Sequence, residues 1–443
     1  MGEITHASCR SDNCIGLRTT SRGEKEMTDK SSVNTPIKAL TSSDLVKSCK
    51  YIEKGTYFAL EGVRCCVHAH ITSPVIITAD EIRNNTDIYD LVVQRRRNLF
   101  AAINGLSEGP TGSCLSCDHL KEKKFKDVNF EYLGGEPLPG GMGIQHYSQC
   151  NARCVYCLYT RENNFIEPQY DILGYLEQFR KRGKLRGNNW IDFSGGEPAL
   201  LKDLDEILSY YLKNKLGTVV VYSNAVQYNQ IIYDALKKNK VILTTSLDAG
   251  LASTYKKLRG VDAYSKVIGN LIRYRNSGTS GLWLKYIICD INRTEDDLWS
   301  FLMAVLAIKP DKVMICPDFP SGEKKIPDET VAFAARLWYL LENFTGFTPV
   351  DYTTAFKNSE YEKYRTDLKR SLQELKRQRP FDNEYKLKER GWVRSSMNSL
   401  IVARDRLLHS SARERILPDD SVRLRVAKIA WRKTFGRIPF LRT

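Results

Sequence analysis

The sequence predicts an α/β protein whose centre is a series of βα units. Three observations carry that prediction. Between about Gly141 and Pro317, strand-like apolar runs alternate with stretches of helical periodicity, the pattern of a sheet wound by crossover helices. Turns bearing Gly, Ser, Asn or Asp close several of those runs. The chain of 443 residues leaves room for two or three domains with an ample core.

In order, strands are expected near Ile144–Tyr147, Trp190–Phe193, Val219–Tyr222, Val241–Thr245, Leu282–Cys289 and Lys312–Cys316. Helices are expected near Gln169–Lys181, Leu201–Lys213, Tyr228–Lys237, Lys266–Asn276, Glu295–Ala307 and Val331–Phe344. Upstream, Thr56–Val63 reads as a strand, and Asp87–Asn104 as a helix with Arg95, Arg96 and Arg97 on its exposed face. The chain divides into a flexible N-terminus (1–40), a cysteine-containing segment (41–135), the βα region (136–320) and a helical, basic C-terminal region (321–443).

Residues 1–40 are polar, and Met27 is a candidate start that would set aside Cys9 and Cys14. No apolar run is long enough to span a bilayer, and the N-terminus has no signal-peptide core. A cytoplasmic protein is expected. In that setting twelve cysteines point to metal ligation before disulfides. The net charge is +15. Its excess gathers at the end of the chain, where Arg423, Arg425, Lys428, Arg432, Lys433, Arg437 and Arg442 follow Asp420 with no later acid. Leu424, Ala427, Trp431 and Phe435 share one helical face there. That helix docks on the βα region with a solvated basic face, or it meets an anionic surface.

The chemistry concentrates in Cys150-Asn151-Ala152-Arg153-Cys154-Val155-Tyr156-Cys157. Thiolates favour iron–sulfur clusters or zinc. A cubane normally takes four cysteines, so three leave one iron open, as catalytic metal sites do. A zinc knuckle is the plain alternative. Downstream, Asn189–Phe193 ends in Ser194-Gly195-Gly196-Glu197-Pro198. Its glycines let a backbone approach closely, and its carboxylate can accept from an ammonium. Then come Ser223-Asn224-Ala225, Ser246-Leu247-Asp248-Ala249-Gly250 and Tyr255-Lys256-Lys257-Leu258-Arg259-Gly260, the first two closing strands.

These stations, in this order, resemble the CxxxCxxC, GGEP and following motifs of the radical S-adenosylmethionine (SAM) superfamily. The resemblance covers about Gly141 to Pro317, with Ala225 where Gly is usual. It implies a partial (β/α)6 barrel of the TIM type with its site at the C-terminal strand ends. It implies a [4Fe–4S] cluster on Cys150, Cys154 and Cys157, with SAM on the open iron. Cleavage of SAM would give a 5'-deoxyadenosyl radical that takes a substrate hydrogen. Tyr156 fits the aromatic before the third cysteine. Gly195, Gly196 and Glu197 would hold the methionyl amine. Ser223, Asn224, Ser246 and Arg259 are candidates for the ribose and carboxylate. A reductant protein such as flavodoxin or ferredoxin is the implied electron donor.

Cys65, Cys66, Cys114 and Cys117 precede the βα region and resemble a SPASM or Twitch auxiliary-cluster segment. Adjacent cysteines are awkward on one cluster, so with one of the pair not ligating either Cys49 is the spare ligand or the cluster keeps an open iron. A zinc site of Cys66, His68, His70, Cys114 and Cys117, or plain buried thiols, are the other readings. Cys289 and Cys316 read as buried structural thiols, and His119 and His146 as ordinary residues. The SPASM-like segment points to an oxidative modification of a peptide or carbohydrate. An RNA-modifying relative, suggested by the basic charge, and a noncatalytic metal-binding protein are the alternatives.

Overall fold

The computed structural model describes residues 40–66, 73–85, 87–128, 142–157, 166, 170–183, 185, 190–318, 325–355 and 359–378. His68, His70, Cys9, Cys14 and the basic C-terminal helix lie outside them. The elements run β1 (Leu45–Ser48), α1 (Lys50–Lys54), β2 (Thr56–Ala59), β3 (Gly62–Arg64), β4 (Val75–Thr78), α2 (Ala79–Arg83), α3 (Ile88–Ile103) and β5 (Lys121–Lys124). They continue through β6 (Met142–Ile144), α4 (Ile172–Lys181), β7 (Trp190–Phe193), α5 (Leu204–Asn214), β8 (Thr218–Tyr222), α6 (Gln230–Lys237) and β9 (Val241–Ser246). Last come α7 (Ala252–Arg259), α8 (Tyr264–Arg275), β10 (Leu282–Ile288), α9 (Glu295–Ile308), β11 (Lys312–Pro317), α10 (Asp328–Leu340), β12 (Val350–Asp351) and α11 (Ser359–Gln378).

The six predicted βα units are present, with ends shifted by up to four residues. The sheet extends beyond them. It has ten strands in the order β12-β11-β10-β9-β8-β7-β6-β2-β3-β4. From β2 through β6 to β12 every pairing is parallel. The run Thr56–Val63, expected as one strand, is a hairpin of β2 and β3. Gly62 permits the turn with φ +140°, and a Cβ there would stand 2.8 Å from the Thr78 backbone. β1 and β5 form a separate two-stranded sheet.

Side chains alternate across a strand. One face carries Ile191, Phe193, Val221, Leu243, Leu284 and Ile315, all within the main core beneath the helices. The other face carries Asp192, Tyr222, Thr244, Ser246, Lys285 and Cys316. This inner face is strongly curved. Tyr222 ends β8 and hydrogen-bonds Tyr352, which follows β12. A flat sheet would hold those strands about 19 Å apart, four spacings of about 4.8 Å.

Helix ends follow their capping residues. Asp87 caps α3, accepting from the Asp90 amide at 3.1 Å, and Thr294 caps α9, accepting from Asp297 at 3.2 Å. Arg96, expected on the exposed face of α3, is 3% exposed. Its guanidinium donates to the Lys54 and Gly55 carbonyls and to Thr56 Oγ1, where the chain enters β2. An arginine satisfying backbone acceptors at a buried strand entry leaves no periodic signal in the sequence.

Candidate functional site

The cysteine loop leaves the C-terminal end of β6 and is held from two sides. On one side lies the turn after β7. The Gly196 amide donates to Tyr147 O at 3.0 Å, and the Glu197 amide to Gln149 O at 2.8 Å. A Cβ on Gly196 would stand 2.8 Å from the Ser148 carbonyl carbon. On Gly195, whose φ is +100°, it would stand 2.8 Å from Tyr147 O. The two glycines are needed here for contact with the chain leading to Cys150.

On the other side is the end of α7. The last carbonyls of a helix lack partners within it. Here Leu258 O accepts from Val155 N at 2.9 Å, and Arg259 O from Arg153 N at 2.7 Å. Gly260 ends the helix at φ +65°, and a Cβ there would meet Arg153 Cβ at 2.6 Å and Arg153 O at 2.7 Å. The glycine closing the Tyr255–Gly260 motif therefore lets the cysteine loop lie against the helix end.

Side chains bind the same pieces together. Glu197 is buried. Its Oε1 accepts from Ser223 Oγ at 2.6 Å and Ala199 N at 3.1 Å, and its Oε2 from Asn224 N at 2.7 Å. Asn224 Nδ2 donates to Asn151 Oδ1 at 2.6 Å and reaches Cys150 Sγ at 3.6 Å. Ala225 takes φ +56°, the left-handed conformation that favours the usual glycine. Asp248 is fully buried and accepts from Tyr156 Oη, from Arg259 NH1 at 3.1 Å and from the Ile287 amide at 2.7 Å. Arg259 also donates to Tyr156 Oη. Ser223 and Asn224 thus meet around Glu197, with Asn224 reaching the loop, while Tyr156 of the loop and Arg259 meet around Asp248. Ser246 ends β9 half-buried, opposite Lys285.

Burial pushes the Cys150 and Cys154 thiols up, Cys154 to about 11, with the Arg259 charge opposing the shift in both. Burial also raises Glu197, against its hydrogen bonds and Arg259. Among the described residues no three His, Cys, Asp or Glu side chains are drawn together closely enough to hold a metal ion. The donors still suit the implied groups. Three thiols stand on a loop fixed through its backbone, and Glu197 is a buried carboxylate without an ion-pair partner among the described residues, able to receive an ammonium.

The upstream cysteines share one neighbourhood. Burial raises the Cys114 thiol to about 12, and Cys65, Cys49, Cys66 and Cys117 all add to it. Cys65 packs in a core cluster with Val46, Ile52, Leu99 and Phe100, whereas Cys49 and Cys114 lie at its edge. A Cβ on Gly55, the residue before β2, would meet the Tyr51 carbonyl oxygen at 3.0 Å and Cys65 carbonyl carbon at 3.3 Å. This group therefore lies at the N-terminal end of β2, opposite the cysteine loop. Tyr57 lies between the two ends, its phenol raised by burial and by Asp192, Tyr51 and Cys66.

Cys289 and Cys316 are buried together with Leu258 and Ile287. His146 is fully buried, both ring nitrogens have no partner among the described residues, and burial lowers it to about 4. Its place two residues beyond β6 gave no sequence signal for that. Among the described residues no helix is long and apolar enough to cross a membrane.

Residues 144–304 match the family model of the Radical SAM superfamily. A GTPase Obg of Brachyspira hyodysenteriae is 27% identical over 210 residues, covering 44% of this chain and 30% of its own. A GTP 3',8-cyclase of Clostridium botulinum strain Hall is 26% identical over 179 residues, covering 40% of this chain and 55% of its own. Among solved structures, Streptococcus suis SuiB bound to S-adenosylmethionine aligns with TM-score 0.40 and 19% identity over 51% of this chain and 55% of that one. The chain spans 30% and 55% of the two curated relatives.

Proposed function

We propose, from the premise that residues 144–304 form a radical SAM superfamily domain, that this chain is an enzyme that reductively cleaves SAM. Cys150, Cys154 and Cys157 would hold a [4Fe–4S] cluster with one iron open to SAM. Once bound, cluster and SAM supply a one-electron cleavage that begins hydrogen-atom chemistry on a substrate. This chain's residues bind and orient. Glu197 receives the methionyl ammonium in a turn shaped by Gly195 and Gly196. Ser223, Asn224, Ser246 and Arg259 line the rest of the cofactor site, and Tyr156 anchors the loop to Asp248. A reductant protein such as flavodoxin or ferredoxin would deliver electrons near Arg153 and Val155, the exposed residues of the loop.

The observation that carries this reading is the joined unit of Glu197, Ser223, Asn224 and Cys150. It ties three motifs, distant in sequence, to one point at the strand ends. Anaerobic reconstitution with iron and sulfide, then dithionite and SAM, tests it. The wild type forms 5'-deoxyadenosine, and Cys154→Ala forms none. Equal yields from both would end the proposal.

A second cluster is proposed on Cys66, Cys114 and Cys117, with Cys49 as the fourth ligand because Cys65 is enclosed in the core. Cys49→Ala should lower reconstituted iron where Cys65→Ala does not. The substrate would lie on the inner face between the two cysteine groups, and an oxidative modification of a peptide or carbohydrate is the first reading. A nucleotide is the second, favoured by the match to a GTP 3',8-cyclase. Stimulation of 5'-deoxyadenosine formation by GTP selects the second reading, and its absence removes it.

A further inference from the structure

Lys285 is the feature of the inner face that the proposed chemistry does not use. It sits on β10 opposite Ser246 and is 9% exposed. Its ammonium lies 4.7 Å from the Tyr352 ring centre. Among the described residues it has no carboxylate partner within ion-pair distance. The carboxylates around it are committed elsewhere. Asp248 is taken up by Tyr156, Arg259 and the Ile287 amide. Asp351 accepts from Thr353 N at 2.8 Å and Thr353 Oγ1 at 2.7 Å. The neighbouring strand adds a second unsatisfied group on the same face, because Thr244 is 2% exposed and its hydroxyl has no hydrogen-bond partner among the described residues.

A buried cation is costly to keep without an anion, and one aromatic ring compensates only part of that cost. Arg259 is already bonded to Asp248 and Tyr156. Among the described residues, Lys285 is therefore the cation on this face still open to a ligand.

We infer that Lys285 is the anion-binding residue of the inner face, taking an oxyanion group with Thr244 as a supporting hydroxyl donor. The inference rests on the inner face being the active site. Two sources carry that chemistry, the methionyl carboxylate of SAM and an acidic group on the substrate. In both cases Lys285 is a binding and positioning residue.

Dissociation constants decide it, measured on the anaerobically reconstituted full chain for SAM, decarboxylated SAM and inorganic pyrophosphate. Wild type, K285M, K285Q and K285R are compared. If the anion is the cofactor's, both neutral variants weaken SAM by roughly tenfold or more and leave decarboxylated SAM unchanged. If it is the substrate's, SAM binding is unchanged and pyrophosphate binding falls by a similar factor. K285R retains binding in either case, and K285Q decides the matter should K285M fail to fold. Unchanged binding of all three probes in a folded neutral variant overturns the inference. Iron-loaded wild type that binds no SAM would contradict the superfamily function, while the pyrophosphate comparison would still judge Lys285.

Discussion

Gly260→Ala should loosen the cysteine loop while leaving the rest of the fold in place. Gly260 sits at φ +65°, and an added Cβ would stand 2.6 Å from Arg153 Cβ and 2.7 Å from Arg153 O. A left-handed L-residue costs about 1–2 kcal/mol, and relieving the overlap by moving the loop costs about 1–3 kcal/mol more. A central value of about 3 kcal/mol corresponds to roughly 150-fold in a local opening equilibrium. The hydrogen bonds that would give way are Arg153 N to Arg259 O at 2.7 Å and Val155 N to Leu258 O at 2.9 Å. Hydrogen exchange on a peptide spanning 150–157 in the metal-free protein reads those amides directly. Gly278→Ala is the control, since Gly278 has φ +74° but nothing within 4 Å of an added Cβ. It shares the backbone penalty and lacks the overlap. Exchange at 153–155 should rise by about two orders of magnitude in Gly260→Ala and stay at the wild-type rate in Gly278→Ala. Equal exchange in both variants would refute the clamp.

Asp248→Asn removes the carboxylate facing buried Arg259, and stranding such a charge typically costs about 3–5 kcal/mol. A cycle with Arg259→Met in denaturant unfolding should show coupling of at least about 1 kcal/mol, and additive losses would mean the pair does not interact. His146 titrates near 6.5 when unfolded and is lowered to about 4 in the fold. The unfolded chain alone takes the proton between those values, so stability is full above pH 6.5 and falls as pH drops through the window. From about pH 7.5 to 5 the loss from this residue is about 2 kcal/mol. His146→Phe should flatten the stability–pH curve by that amount, and an unchanged slope would show that His146 is protonated in the fold.

Much of this architecture is legible in the chain because its signals are local. Val219–Tyr222 and Val241–Thr245 are apolar runs closed by turn residues, and they appear as strands within a residue of their expected ends. What escaped depends on long-range pairing. Nothing within Thr56–Ala59 reveals that it will pair with Met142–Ile144 and extend the sheet. Arg96 reads as solvent-facing by composition, yet three acceptors at the entry to β2 draw it inward. At the site, the motifs were visible but their mutual bonds were not. Asn224 reaching Cys150, and Gly260 making room for Arg153, are contacts between segments about 70 and 107 residues apart, set by the parallel order of the strands. Lys285 carried no motif. Its significance lies in what surrounds it, which only the folded chain supplies.

The cluster site is tested by iron and sulfide per chain after anaerobic reconstitution, compared between wild type and a variant whose Cys150, Cys154 and Cys157 are all Ala. A cubane on those cysteines predicts a difference of about four irons and about four sulfides. Equal iron in the two proteins would mean that these cysteines hold no cluster.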